Sequence, residues 1–170
     1  EQIERFKENT KLSIVGVGYT VYLGSKYEAI MLQESAQIVY QAHQLGMLAI
    51  LWMYPRGRSV TDERDAGLIA GAAGVANSLG ADFVKVNVPN GVDIQDQAKK
   101  LIPVVLAAGN TGVICSGGAK INEANFLQSL TVQVSIAGVA GAAIGRNIFQ
   151  KNLPESIEFC KKIVMVLKGE

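Results

Sequence analysis

Five short apolar runs punctuate the chain, and between them the apolar positions recur at helical spacing. The first run is Ser13–Leu23, rich in Val, Ile and Tyr. Leu48–Tyr54 (LAILWMY), Phe83–Val88, Gly112–Cys115 (GVIC) and a short Ala142–Ile144 follow. Unbroken apolar runs of this kind predict strands of a parallel sheet covered on both faces. Helices are predicted between them. Glu28–Leu45 carries Ile30, Met31, Glu34, Ile38 and Ala42 at helical spacing. Asp62–Leu79 comes next, with Thr61 or Asp62 as its N-cap and Gly80 as the glycine that stops it. Ile94–Ala108 ends at Gly109, and Asn122–Leu130 follows. Pro154–Leu167 closes the chain, with Asn152 as cap and Pro154 in its first turn.

Strand then helix, repeated, predicts βαβ units with right-handed crossovers. The rhythm is even: Tyr22, Tyr54, Lys85, Ser116 and Gly145 stand at or near successive strand ends, at intervals of 32, 31, 31 and 29 residues. In a parallel barrel those carboxyl ends share one rim, which is where active sites sit. The fold expected is an α/β TIM (β/α)8 barrel; a doubly wound open sheet is the competing arrangement. Eight such units need about 250 residues, and the 170 residues here hold five. The chain is therefore expected to be, over residues 1–170, part of a single barrel domain. It begins at Glu1 rather than Met, as a piece of a longer protein would. Five-eighths of a barrel leaves two sheet edges open to association.

Composition narrows the class. A chain 49% apolar with 18 glycines suits a packed α/β protein and excludes a disordered one. Sixteen basic residues against 15 acidic leave a net charge of +1, so nothing points to nucleic acid or an anionic membrane as partner. No apolar run reaches membrane-spanning length, Val134–Ile144 included, and no secretory signal opens the chain. Cys115 and Cys160 have no spacing that suggests a disulfide framework or a metal knuckle, so the cytoplasm is the expected compartment. His43 is the only histidine, which argues against a histidine-based zinc site.

The candidate chemistry starts at Lys85, set inside the apolar strand GADFVKVNVP. A desolvated lysine has a lowered pKa, and its free amine attacks carbonyls; a lysine snorkelling to solvent is the plainer reading. One unit earlier, Trp52 and Tyr54 alternate onto one side of their strand. A phenol beside an iminium can move protons as general acid and base; an aromatic pair filling the barrel is the alternative. Arg56, just past Pro55, either holds an anion on the rim or is a solvated loop charge. Ser116-Gly117-Gly118 and Gly145-Arg146 directly follow strands, where small residues let backbone N–H groups approach phosphate; tight strand-to-helix packing explains glycines there equally well. Tyr19, Tyr22 and Ser25 are further candidates for the pocket wall, at least one tyrosine being core. Asp82 reads as a turn residue and His43 as structural.

Taken together, GYTVYLGS, LWMYPRG, DFVKVNVP, SGGAK and AIGRNIFQ resemble, in order and at matching spacing, the class I fructose-bisphosphate aldolases of the archaeal and bacterial (DhnA-like) type. The resemblance spans nearly the whole chain and implies strands 4 to 8 of a TIM barrel. It implies Lys85 as the Schiff-base lysine, Tyr54 as the catalytic tyrosine and Trp52 as an active-site tryptophan. Ser116, Gly117, Gly118, Gly145 and Arg146 would form the phosphate loops, with Arg56 on the distal phosphate. It further implies aldol cleavage of fructose 1,6-bisphosphate in glycolysis and gluconeogenesis, a homo-oligomer, and no metal or other cofactor. The family's aspartate on strand 1 has no counterpart in these residues, so the 170 residues alone are expected to be poorly active. Two other readings share the lysine and the loops: a Schiff-base barrel that makes an aminodeoxyheptulosonate or a phosphorylated-diketone thiolase, and a non-catalytic sugar-phosphate binder.

Overall fold

The structure, a computed structural model, describes residues 14–169. Ser13, the expected start of the first strand, and both ends of the expected 1–170 domain lie outside them. Among the described residues there are five strands: β1 (Gly16–Leu23), β2 (Leu48–Pro55), β3 (Phe83–Val86), β4 (Gly112–Ser116) and β5 (Gly141–Ala143). All neighbours are parallel, and the sheet order is the chain order, β1-β2-β3-β4-β5. An order that never turns back excludes the doubly wound arrangement, which reverses at a switch point.

Burial alternates residue by residue along β2, β3 and β4. Val21, Ala49, Leu51, Met53, Val84, Val86, Val113 and Cys115 are buried against the helices. Each Val, Leu and Met among them contributes about 1.5–3 kcal/mol by leaving water. The opposite parity forms the inner face, in level rows set by the parallel register. Thr20, Trp52, Lys85, Ile114 and Gly141 make one row. Burial on both faces is thus met on the helix side only, since Thr20, Trp52, Lys85 and Ile114 of the inner row are half-buried.

The helices are α1 (Glu28–Gln44), α2 (Ala66–Ser78), α3 (Ile94–Ala107), α4 (Glu123–Val132), α5 (Arg146–Phe149) and α6 (Leu153–Lys168). Helix α1 buries Ser35, Val39 and Ala42 rather than Ile30, which is exposed. Helix α2 starts later than its apolar pattern suggests, because Asp65 and not Asp62 caps it, accepting from Leu68 N at 2.9 Å. Asp62 is spent on the preceding loop, where it accepts from Arg64 N and Asn90 Nδ2. Strand β3 ends at Val86 rather than Val88, whose carbonyl accepts from Arg64 Nε at 2.9 Å. Two local features are not visible in the apolar pattern: a π-helical turn, Gln133–Ala137, continues α4, and the short α5 follows β5. The anticipated stop at Gly80 is present, with φ +80. Asn152 caps α6, and Phe159 of α6 meets Phe126 of α4 edge-to-face at 5.6 Å. Among the described residues no helix is long and apolar enough to cross a membrane.

Candidate active site

Register places the lysine. β2 and β3 pair Trp52 with Lys85, so the amine rises from the row of Trp52 toward the row above, where Tyr22 pairs with Tyr54. Lys85 Nζ donates to Tyr54 Oη at 2.7 Å. It also lies 5.4 Å from the Tyr54 ring centre and 6.0 Å from that of Trp52, within cation–π range. Lys85 is half-buried, so the inner face shelters the amine without drying it completely.

Above this pair the aromatic layer continues. Tyr22 stacks on Tyr54 with ring centres 6.3 Å apart, and the Arg56 guanidinium lies 5.4 Å and 5.8 Å over the two rings. Arg56 Nε and Nη2 donate to both oxygens of Glu63, each at 2.7 Å. That bidentate bond holds the Glu63 carboxyl below the usual carboxylate range and raises Arg56 further. Both side chains are well exposed, 47% and 39%, so the pair is screened and exchangeable.

A cavity of about 440 Å³ opens on this rim, within the range of small-molecule sites. Eight of the nine residues that the resemblance assigns to the site line it: Tyr54, Arg56, Lys85, Ser116, Gly117, Gly118, Gly145 and Arg146. Trp52 stands one row lower, beside Lys85 and outside the lining. The two glycines of the β4 loop are glycine for different reasons. A Cβ on Gly117 would come within 3.1 Å of Ile144 Cα, and its amide donates to Ala143 O at 2.9 Å, so it packs and pairs with the sheet end. Gly118 has φ +65 with open space around it, a left-handed turn that favours glycine.

Sequence reasoning missed Asn87, Ala143 and Phe149, which also line the cavity. Asn87 had a readable signal: it lies two residues past Lys85, on the same parity. Its Oδ1 accepts from Ser116 Oγ at 3.1 Å, joining β3 to the β4 loop.

Other candidates sit elsewhere. Tyr19 faces the helices, not the pocket, and its hydroxyl donates to the Glu34 carboxylate of α1. That bond, with burial, pushes the phenol up to about 12. Tyr22 is on the inner face but outside the cavity lining, and Ser25 Oγ accepts from Tyr27 N to close a turn. His43 and Asp82 meet at the opposite, amino-terminal end of the strands. Asp82 Oδ2 lies 3.0 Å from His43 Nε2 and accepts from Ala49 N at 2.7 Å, which ties the start of β3 to β2. This bears out structural roles for both. Cys115 and Cys160 are unpaired; Cys115 is buried on the helix side, and burial pushes its thiol up to about 12.

A parallel sheet wound in chain order, with polar groups gathered at its carboxyl ends, is that of a TIM (β/α)8 barrel, here five strands of one. The pattern of the DeoC/LacD family aldolases matches residues 1–151, and the chain belongs to that family. Over 160 residues it is 51% identical to the fructose-bisphosphate aldolase/6-deoxy-5-ketofructose 1-phosphate synthase of Methanocaldococcus jannaschii, covering 94% of this chain and 51% of that protein. It is 33% identical to the class 1 fructose-bisphosphate aldolase of Thermoproteus tenax, over 96% of this chain and 59% of the relative. A solved fructose-bisphosphate aldolase from Slackia heliotrinireducens superposes with TM-score 0.91 at 46% identity, covering 97% of this chain and 52% of that one. An archaeal fructose-1,6-bisphosphate aldolase, solved with its catalytic Lys covalently bound to the carbinolamine intermediate of the substrate, gives 0.77 at 33% identity, over 89% of this chain and 57% of its own. The chain thus spans about half the length of the relatives it matches.

Proposed function

We propose that the full protein is a class I fructose-bisphosphate aldolase that cleaves and forms the C3–C4 bond of fructose 1,6-bisphosphate through a Schiff base on Lys85. The observation that carries the reading is the 2.7 Å contact of Lys85 Nζ with Tyr54 Oη on the wall of a cavity edged by two small-residue loops. In cleavage the neutral amine of Lys85 attacks the C2 ketone of the open-chain sugar, forming a C–N bond as the carbonyl oxygen becomes a hydroxyl. Loss of water gives an iminium. Removal of the C4 hydroxyl proton then breaks C3–C4, whose electrons pass into the iminium to leave an enamine and glyceraldehyde 3-phosphate. Protonation at C3 and hydrolysis release dihydroxyacetone phosphate and the free amine. Tyr54, hydrogen-bonded to that amine, relays the protons there. Trp52 packs beside the iminium, and its ring face favours that cation.

Substrate phosphate would rest on the Ser116-Gly117-Gly118 and Gly145-Arg146 loops, and the distal phosphate on Arg56 once Glu63 yields it. Anchoring both ends fixes the ketone beside the amine, the arrangement that gives intramolecular rates. The family resemblance supports a cytoplasmic homo-oligomer, which light scattering on the full-length protein tests. Borohydride reduction of that protein in the presence of substrate is expected to fix an adduct on Lys85 and abolish activity, and Lys85→Met is expected to abolish both. An adduct on another lysine, or turnover by Lys85→Met, overturns the proposal.

A further inference from the structure

Asn147 is 2% exposed, and the proposed chemistry does not use it. Its side chain makes three hydrogen bonds, all to one loop. Nδ2 donates to the carbonyls of Gly117 and Ala119, both at 3.0 Å, and Oδ1 accepts from Ile121 N at 2.9 Å. The carbonyl of one residue and the amide of the next share a planar trans unit and point in opposite directions. Holding the Gly117 and Ala119 carbonyls toward Asn147 therefore turns the amides of Gly118 and Lys120 away from it. The cavity is lined by Gly117 and Gly118 but not by Asn147, which lies behind the loop. The same residue sits in α5, one position beyond Arg146, so its backbone is continuous with the second cavity loop. One buried amide thus sets the peptide orientation of one loop from a foothold beside the other.

We infer that Asn147 is a positioning residue that aims the Gly118 amide at the phosphate of the substrate and keeps the two loops at a fixed separation. The inference rests on the aldolase reading for the identity of the phosphate ester, but its physical core, an oriented anion site, is tested with inorganic phosphate alone. A buried side chain with every group satisfied is ordinarily structural. The distinguishing mark here is which groups it holds: alternate peptides of a loop that edges the cavity, rather than a helix end or a sheet.

The test is calorimetric titration of inorganic phosphate into the full-length protein, beside steady-state kinetics, for wild type, Asn147→Ala and Asn147→Asp. A freed loop loses a charge-assisted donor, so phosphate affinity is expected to fall about tenfold in the alanine variant. KM is expected to rise in step, with kcat within about threefold of wild type. The aspartate variant keeps the size of the side chain and the acceptor for Ile121. Its carboxylate faces two carbonyls, so phosphate binding falls at least as far, and recovers in part as the pH is lowered and the acid regains a donor. If the alanine variant does not fold, the aspartate variant decides alone. Wild-type phosphate affinity in either folded variant, or a loss of kcat with KM unchanged, overturns the inference. Borohydride trapping separates the two ideas: no adduct in wild type removes the aldolase reading, whereas weakened phosphate binding with the adduct retained supports both.

Discussion

Gly18 is the position where one added carbon should do most to the site. It lies on the inner face of β1, paired with Ile50 and one row below Trp52. A Cβ built there would fall 1.7 Å from Trp52 Cζ3, 2.1 Å from Cη2 and 3.0 Å from Cε3. No real contact is that short, and the indole is a rigid bicycle, so Gly18→Ala must swing the whole ring off its place beside Lys85. Gly18 is exposed and Trp52 half-buried, so the displaced ring has room to swing, and the cost stays at the low end of that for overpacking, about 1 kcal/mol or less. With a urea slope of about 2 kcal/mol/M, the unfolding midpoint should drop by up to about 0.5 M. Trp52 is the only tryptophan, so intrinsic fluorescence reports this ring alone, and its emission should change in the folded state. Gly71→Ala is the control: its added carbon in α2 meets nothing within 4 Å, and removing a helical glycine should stabilise by about 0.5–1 kcal/mol. A Gly18→Ala protein with the wild-type midpoint and emission spectrum would refute the placement of Trp52 over Gly18, and with it the packing around Lys85.

Tyr54→Phe removes the hydroxyl that accepts from Lys85 Nζ; kcat should fall about 10²–10⁴-fold while borohydride still traps an adduct, and near-normal kcat would remove Tyr54 from proton transfer. Glu63→Gln frees Arg56 from its bidentate partner; stability should change by less than about 1 kcal/mol and the KM for a bisphosphate should fall a few-fold, whereas an unchanged or higher KM would count against Arg56 as a phosphate ligand. Asp82 gives a pH signature. Burial raises its pKa, but the Ala49 amide and His43 outweigh that and hold the carboxyl below its ordinary value. A lowered folded pKa means stability that is fully present above the unfolded pKa of about 3.9 and lost as the pH falls through the folded value. Asp82→Asn should therefore cost stability at neutral pH by urea unfolding, with the gap to wild type closing as the pH drops below about 4; a gap independent of pH would show the carboxylate charge to be irrelevant.

Much of this was legible in the chain because its two periods are physical. Strands alternate faces every residue and helices return every 3.6, so apolar spacing alone marked β1 to β5 and five of the six helices among the described residues to within a few residues, α5 being the one it missed. The even interval from Tyr22 to Gly145 puts the candidate residues on one rim, because each βα unit returns the chain to the same end of the sheet. Boundaries drifted where a side chain competed for the backbone. Asp62 went to the loop and left Asp65 to cap α2, and Arg64 took the Val88 carbonyl that would have prolonged β3. Local pattern is blind to such choices because the partners come from distant segments.

The sequence by itself determined that the sheet is parallel and that Trp52 and Tyr54 share one side of their strand, since both follow from spacing along one strand or between successive ones; the serial order of the strands and the row that Lys85 shares with Trp52 came from the tertiary structure. Only the tertiary structure decided that Tyr19 turns to Glu34 and away from the pocket, that Glu63 holds Arg56, and that Asn147 is bonded to the loop after β4. Each of these joins residues about 7 to 30 positions apart through a directional hydrogen bond. Hydrophobic burial is roughly proportional to area and leaves a periodic trace in the chain. A hydrogen bond depends on distance and angle between two particular groups, and leaves none.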